Sequence, residues 1–269
     1  MNALFNGHEA SDLASSRGLH YGDGVFRTVL AWDGALLDWD LHLAKLQRDC
    51  DALSLEMPPA SVLMNEAVQL THSKTRAVIK LMVIRKTGGR GYRPESTRSD
   101  RLLLVYPAPR YPETHWTHGI TGFRCSLALA SQPALAGIKH LNRLEQVLAS
   151  RDWPENADEG ILCDQESRPV CGTRSNLFWI NGRQLHTPAL TQCGVAGIMR
   201  TKIMALAESL NIRVHVRPTK WEELMAADEV FVCNAIIGIW PLRRLAQRDW
   251  SAPGAVTAEL ISALRRALY

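Results

Sequence analysis

Apolar positions along this chain change period repeatedly, and the changes mark its elements. A short run at Ala3, Leu4 and Phe5 precedes Asn6-Gly7, a hairpin-type turn. FRTVLAW, from Phe26 to Trp32, is rich in strand formers and stops at Asp33-Gly34, a second hairpin signal. Arg17 to Asp23, lacking either period, reads as a loop. Leu43, Leu46, Cys50 and Leu53 then fall on one helical face. Pro58 and Pro59 break that helix and open another through about Leu70. AVIKLMVI, from Ala77 to Ile84, and the run from Leu102 to Tyr106 predict strands with a glycine-rich loop at 88–91 between them.

PAPRYP, at 107–112, holds three prolines in six residues. Proline fixes the backbone without supporting a ladder, so this is the candidate interdomain linker. Beyond it, strands are predicted at 121–130, 160–164, 176–180, 212–216 and 229–233. Helices are predicted at 142–152, 198–210, 219–227 and 256–268. Strands and helices mix without strict alternation, which indicates an α+β (mixed α/β) protein of two lobes and not a TIM barrel. The expected division is a smaller N-terminal α/β domain, 1–110, and a larger C-terminal α/β domain, 111–269, which carries the candidate lysine and phosphate site.

Composition changes this picture little. The 269 residues are 46% hydrophobic and 22% charged, ordinary values for a globular protein. The formal charge of +4 argues weakly for an anionic ligand. Without a basic block interleaved with aromatics, nucleic acid is not an expected partner. Six scattered cysteines without a CxxC pair are simplest as reduced thiols in a cytoplasmic protein. The N-terminus does not read as a signal peptide, and no apolar run approaches a membrane span. The histidines show no metal-ligand spacing, so no metal is expected.

The candidate chemistry centres on AGIKHLNRLE, 136–145. Leu141, Leu144 and Leu148 recur at helical spacing, with His140 or Asn142 near the cap. Lys139 lies just before that pattern, where a strand would hand over to the helix. It is one of seven lysines in a chain that prefers arginine. An amine can lose its proton, attack a carbonyl and hold it as an imine, which guanidinium cannot. Other strings accompany it in order: GDGVF at 22–26, HLAK at 42–45, GGRGY at 88–92, IKHLNRLE at 138–145, GTRSNLF at 172–178 and CGVAGIMR at 193–200. Together, over about Gly18 to Pro241, they resemble the class IV aminotransferases, which use pyridoxal 5'-phosphate in a two-lobed fold named fold type IV.

The resemblance implies that Lys139 bears the cofactor and then moves protons at the substrate carbon carrying the amine. It implies that the phosphate sits at Gly197, Ile198 and Met199, where a helix start offers unpaired N–H groups, and at the turn Asn234-Ala235. The family's His-x-x-Arg pattern is here His42 to Lys45, so Lys45 is the expected cation, without an arginine's fork. Where many relatives hold a glutamate against the pyridine nitrogen, counting back five from Asn176 gives Cys171. Loss of that carboxylate weakens the electron sink. This hurts amino transfer more than an elimination in which the developing charge expels a neighbouring group at once. Arg90 and Tyr92, and with them Arg174, are candidate ligands for a small anionic substrate with two carboxylates. Two activities are therefore in view: elimination of an enolpyruvyl group with aromatisation, favoured by the GGRGY loop, or amino transfer on branched-chain or D-amino acids. A non-catalytic cofactor-binding protein is the third. A homodimer is also implied, with the 85–93 loop near the partner's site.

Overall fold

The computed structural model describes residues 3–9, 15–86 and 91–266. The chain divides into two compact units, one of Met1–Arg110 with Ile138–Asn142 and one of Tyr111–Gly137 with Arg143–Tyr269. Lys139, expected with the C-terminal domain, thus groups with the first unit.

The first unit holds β1 (Ala3–Phe5), β2 (His8–Glu9), α1 (Arg17–Tyr21), β3 (Gly24–Trp32), β4 (Ala35–Leu36), α2 (Trp39–Ala52), α3 (Ala60–Thr71), β5 (Arg76–Arg85) and β6 (Ser99–Pro107). Its sheet runs β2-β1-β6-β5-β3-β4. Alternation along β5 sorts its side chains. Ile79, Leu81 and Val83 join a core with Leu46, Cys50, Leu63 and Ala67 of the two long helices, while Met82 and Ile84 meet Phe26 and Leu141 on the other face. Each fully buried aliphatic side chain contributes about 1.5–3 kcal/mol.

Because β4 covers β3 only at Ala31 and Trp32, the opposite end of that edge is open. The 138–142 segment occupies it. His140 bridges Val25 in antiparallel sense, and the Leu141 N–H donates to the Gly24 carbonyl at 3.0 Å.

Arg17 to Asp23 is not the expected loop but a short helix, α1. The Ser16 hydroxyl caps it by accepting the Gly18 N–H, and Gly22 ends it in the left-handed region at φ 64°.

The second unit contains α4 (Thr114–Thr117), β7 (Ile120–Leu129), α5 (Leu144–Ala149), β8 (Glu159–Asp164), β9 (Pro169–Gly172), β10 (Asn176–Asn181) and β11 (Gln184–Thr187). These are followed by α6 (Ile198–Ser209), β12 (Arg213–Val216), α7 (Trp221–Met225), β13 (Glu229–Asn234), β14 (Gly238–Leu245), β15 (Arg248–Asp249) and α8 (Ala255–Arg266). Its sheet runs β12-β11-β10-β13-β14-β7-β8-β9, and β9 also pairs with β10 through Cys171 and Asn176, closing six strands into a ring.

β10 and β13 are buried on both faces, which explains their unbroken apolar runs. Leu177, Trp179, Val230 and Val232 face one core. Phe178, Ile180 and Phe231 face the other, under Ile203 of α6 and Leu260 of α8. The helix expected at 142–152 is only α5, and Leu144 and Leu148 are 74% and 46% exposed, so their spacing marks no core face.

Candidate active site

Lys139 is held by its main chain. Its carbonyl accepts the Phe26 N–H at 2.9 Å, and its own N–H donates to Asp49 Oδ2 at 3.0 Å. The side chain turns back over β3, with Nζ 4.4 Å from the centre of the Phe26 ring. The amine therefore lies along an aromatic face, a placement worth about 0.5–2 kcal/mol to a cation.

Beneath it is a charged cluster inside the first unit. Arg27 of β3 and Lys45 of α2 both ion-pair with Asp49, one turn beyond Lys45, and all three are buried. Burial works to raise the Asp49 pKa, but the two cations outweigh it and hold the carboxyl below its ordinary value. His42, one turn before Lys45, is 4% exposed. Burial, then Arg27 and Lys139, push its pKa down to about 3, so the ring is neutral. Both ring nitrogens of His42 and Nε of Arg27 are buried without a hydrogen-bond partner. Lys45, expected as the phosphate's cation, ion-pairs with Asp49.

In the second unit the start of α6 is built from main chain. Gly197 is its N-cap, no side chain caps it, and no acidic residue occupies the first turn. Such a terminus suits an anion. The Asn176 side chain fixes the approach, accepting the Gly197 N–H at 3.1 Å and donating to the Val195 carbonyl at 2.7 Å. A Cβ at 197 would fall 2.4 Å from Asn176 Oδ1. Glycine is thus needed for contact with Asn176, a reason the helix-start reading did not contain. Ile198 and Met199 are buried.

Asn234 builds the turn after β13: Oδ1 accepts the N–H groups of Ile236 and Ile237 at 2.8 and 3.0 Å, and Nδ2 donates to the Arg174 carbonyl at 3.1 Å. Ala235, like Asn234 and Ile236, is half-buried in that turn. Arg174 is exposed and donates to the Asp158 carbonyl at 2.7 Å, with Nε 3.8 Å from Glu159.

Glu159, missed in the sequence, is fully buried and accepts from the Gly160 and Thr173 N–H groups and the Thr173 and Ser175 hydroxyls. It shapes the turn that carries Arg174. Cys171 lies in an apolar cluster with Cys125, Leu129, Leu162 and Val170, and burial above all raises its thiol pKa. It is a neutral, poor donor.

Arg90 lies outside the described residues. Tyr92 is 88% exposed, its carbonyl accepting from Arg17 at 3.2 Å and its ring edge-on to Tyr21. Asp23 ties Arg17 and Arg85 together, each at 2.9 Å.

Pyridoxal phosphate requires a primary amine, donors for a phosphate and surroundings for a pyridine ring. Within the lysine's own unit, Lys139 offers the amine and the orphaned buried nitrogens of Arg27 and His42 offer spare polar atoms; within the other unit, taken by itself, the uncapped start of α6 offers main-chain donors. The buried thiol at 171 offers the ring nitrogen no charge. No cluster of three or more His, Cys, Asp or Glu among the described residues has metal-site geometry.

The model of the amino-transferase class IV family matches residues 24–245, and the chain belongs to that family. Among its relatives, an aminodeoxychorismate lyase from Vibrio harveyi is 32% identical over 84% of each chain. The crystal structure of 4-amino-4-deoxychorismate lyase from Pseudomonas aeruginosa is 39% identical, with a TM-score of 0.94 over 99% of both chains. The Escherichia coli branched-chain amino acid aminotransferase, at 24% identity and a TM-score of 0.87, shares the fold. The two-lobed fold type IV expectation therefore holds.

Proposed function

We infer that this chain is a pyridoxal-phosphate-dependent lyase that converts 4-amino-4-deoxychorismate to 4-aminobenzoate and pyruvate, a step toward folate. One observation carries the reading: 39% identity and a TM-score of 0.94 over nearly the whole of both chains to a lyase of that name.

When bound, the cofactor supplies a conjugated ring that accepts electron density from the substrate's amine-bearing carbon. The chain's residues do the rest. Lys139 would hold the cofactor through its amine, would give way to the substrate's amine, and would then take the proton from the amine-bearing carbon. The neighbouring carbon–oxygen bond breaks, the six-membered ring becomes aromatic, and the enolpyruvate that leaves gains a proton to become pyruvate. The main-chain amides at Gly197 to Met199 and the turn at Asn234-Ala235 hold the phosphate. Lys45 would serve the phosphate through the Arg27–Lys45–Asp49 cluster, whose two cations and one carboxylate leave a net positive charge. Arg174, Tyr92 and Arg90 meet the substrate's carboxylates. With a neutral thiol at 171 the ring nitrogen gains no carboxylate partner, which favours prompt expulsion of the ether over storage of charge for amino transfer.

We also propose a cytoplasmic homodimer. Leu144, Val147 and Leu148 expose an apolar face of α5 that a second copy would cover, and the described cysteines are free thiols, five of them buried. Gel filtration with light scattering tests the dimer. The deciding assay mixes aminodeoxychorismate with the holoenzyme and follows 4-aminobenzoate, beside a half-reaction with amino acids that reports pyridoxamine phosphate. Pyridoxamine phosphate without 4-aminobenzoate would overturn the lyase reading.

A further inference from the structure

The ladder that holds the Lys139 segment to β3 is missing two bonds, and at Lys139 an ion pair stands in place of one of them. In an antiparallel pair with His140 opposite Val25, the bonds fall on the flanking residues. Leu141 N–H to Gly24 carbonyl and Phe26 N–H to Lys139 carbonyl are made. The register also directs the Gly24 N–H to the Leu141 carbonyl, a bond replaced by one to the Gly22 carbonyl at 3.0 Å, and the Lys139 N–H to the Phe26 carbonyl. Instead, the Lys139 N–H donates to Asp49 Oδ2 at 3.0 Å, and the Phe26 carbonyl accepts from Arg27 Nη1 at 2.8 Å. Arg27 closes the circuit by donating Nη2 to Asp49 and, at 2.8 Å, to the Lys45 carbonyl. Asp49 is 2% exposed, so each lost bond would leave a buried group unpaired.

We propose that Asp49 is a positioning residue for Lys139. With Arg27 it wedges between the lysine's main chain and β3 and fixes the backbone from which the amine swings. The proposal rests on the reading of Lys139 as the amine that holds the cofactor. Its structural half stands apart from that reading: Asp49 is the acceptor that secures the Lys139 N–H, and Lys45 is tied to the same carboxylate, so lysine and cation are set by one group. Both peptide groups of Lys139 are clamped, and its side chain is left to carry the motion that bonding and releasing an aldehyde require.

The test compares Asp49→Ala, which removes the acceptor, with Asp49→Asn, whose amide oxygen can still take the Lys139 N–H. Amide hydrogen exchange is measured on the full chain before and after loading with pyridoxal phosphate. In Asp49→Ala the 138–142 segment should exchange about tenfold faster, with β5 and β6 unchanged, and in Asp49→Asn it should stay within about threefold of the parent. Borohydride reduction with peptide mapping should still find Lys139 labelled in both, while Asp49→Ala loses about tenfold in kcat with KM little changed. Unchanged exchange at 138–142 in Asp49→Ala would overturn the proposal, as would faster exchange spread over β3, β5 and α2 in both variants. A parent protein that leaves Lys139 unlabelled would instead sink the proposed function, and the exchange comparison would still be decided on its own result.

Discussion

The surroundings of Lys139 and the start of α6 solve opposite problems with opposite materials. Around the lysine, position comes from side chains: two buried cations share one carboxylate, and that carboxylate takes the lysine's own N–H. At the start of α6, position comes from main chain, with an amide side chain from β10 fixing an uncapped terminus. A reacting amine must move while its backbone stays still, so a stiff ionic frame suits it. An anion that only has to be held is served by fixed N–H dipoles, which need no charge of their own.

The largest expected break is at the amine itself. Lys139→Ala removes the amine proposed to carry the proton and should cost at least about 10³-fold in kcat while unfolding near the parent's denaturant midpoint. Lys139→Arg should not rescue, because guanidinium neither attacks an aldehyde nor gives up its proton. Equal loss of folding stability in these variants would mean that the residue is structural.

At the main-chain site, Gly197→Ala forces a Cβ against Asn176 Oδ1, which must leave with its bonds to Gly197 and Val195. Two bonds and a clash amount to about 3 kcal/mol. Affinity for pyridoxal phosphate should fall, and affinity for pyridoxal without phosphate should fall less. Equal losses for the two ligands would remove the phosphate from this terminus.

The two regions also differ in how far the sequence disclosed them. The glycine punctuation in CGVAGIMR placed the start of α6, and double-sided burial placed β10 and β13 through their apolar runs. β14 escaped, since Pro241 argues against a strand. α1 escaped because its signals were a single capping serine and a terminal glycine. Lys139 stands out in the sequence as a candidate amine, but the frame under it does not. Arg27 sits in an apolar strand and Asp49 follows Lys45 by one turn, and only folding brings β3, α2 and residue 139 together. An arginine inside FRTVLAW was the available clue, since a charge in a buried strand requires a partner.

The ionic frame predicts an acid sensitivity that the main-chain site does not share. His42 is neutral in the fold, its pKa near 3, against about 6.5 when unfolded. A depressed pKa gives stability that is full above about pH 6.5 and is lost as pH falls toward 3, because only the unfolded chain takes up the proton. At pH 5 the loss is about 2 kcal/mol. Denaturant unfolding of the parent and of His42→Phe between pH 8 and 5 should show a drop in the parent that the variant lacks. Parallel pH profiles would mean that His42 binds its proton in the folded state as well.

The smallest effect sharpens the comparison most, because it asks whether Cys171 belongs to either region. Its side chain packs with Cys125, Leu129 and Val170, and its backbone closes the ring of strands opposite Asn176. If packing is its whole task, Cys171→Ala removes one sulfur from an apolar cluster and costs about 1 kcal/mol. Pyridoxal phosphate affinity and the chromophore's absorbance maximum should be unchanged, since a buried neutral thiol has little to offer a ring nitrogen. A displaced absorbance maximum would put the thiol against the cofactor and return Cys171 to the binding site. Cys171→Glu then separates the chemistries. A carboxylate able to hold a charged ring nitrogen should raise the amino-transfer half-reaction relative to 4-aminobenzoate release, whereas a carboxylate stranded among apolar side chains should lower the denaturation midpoint and leave that ratio alone.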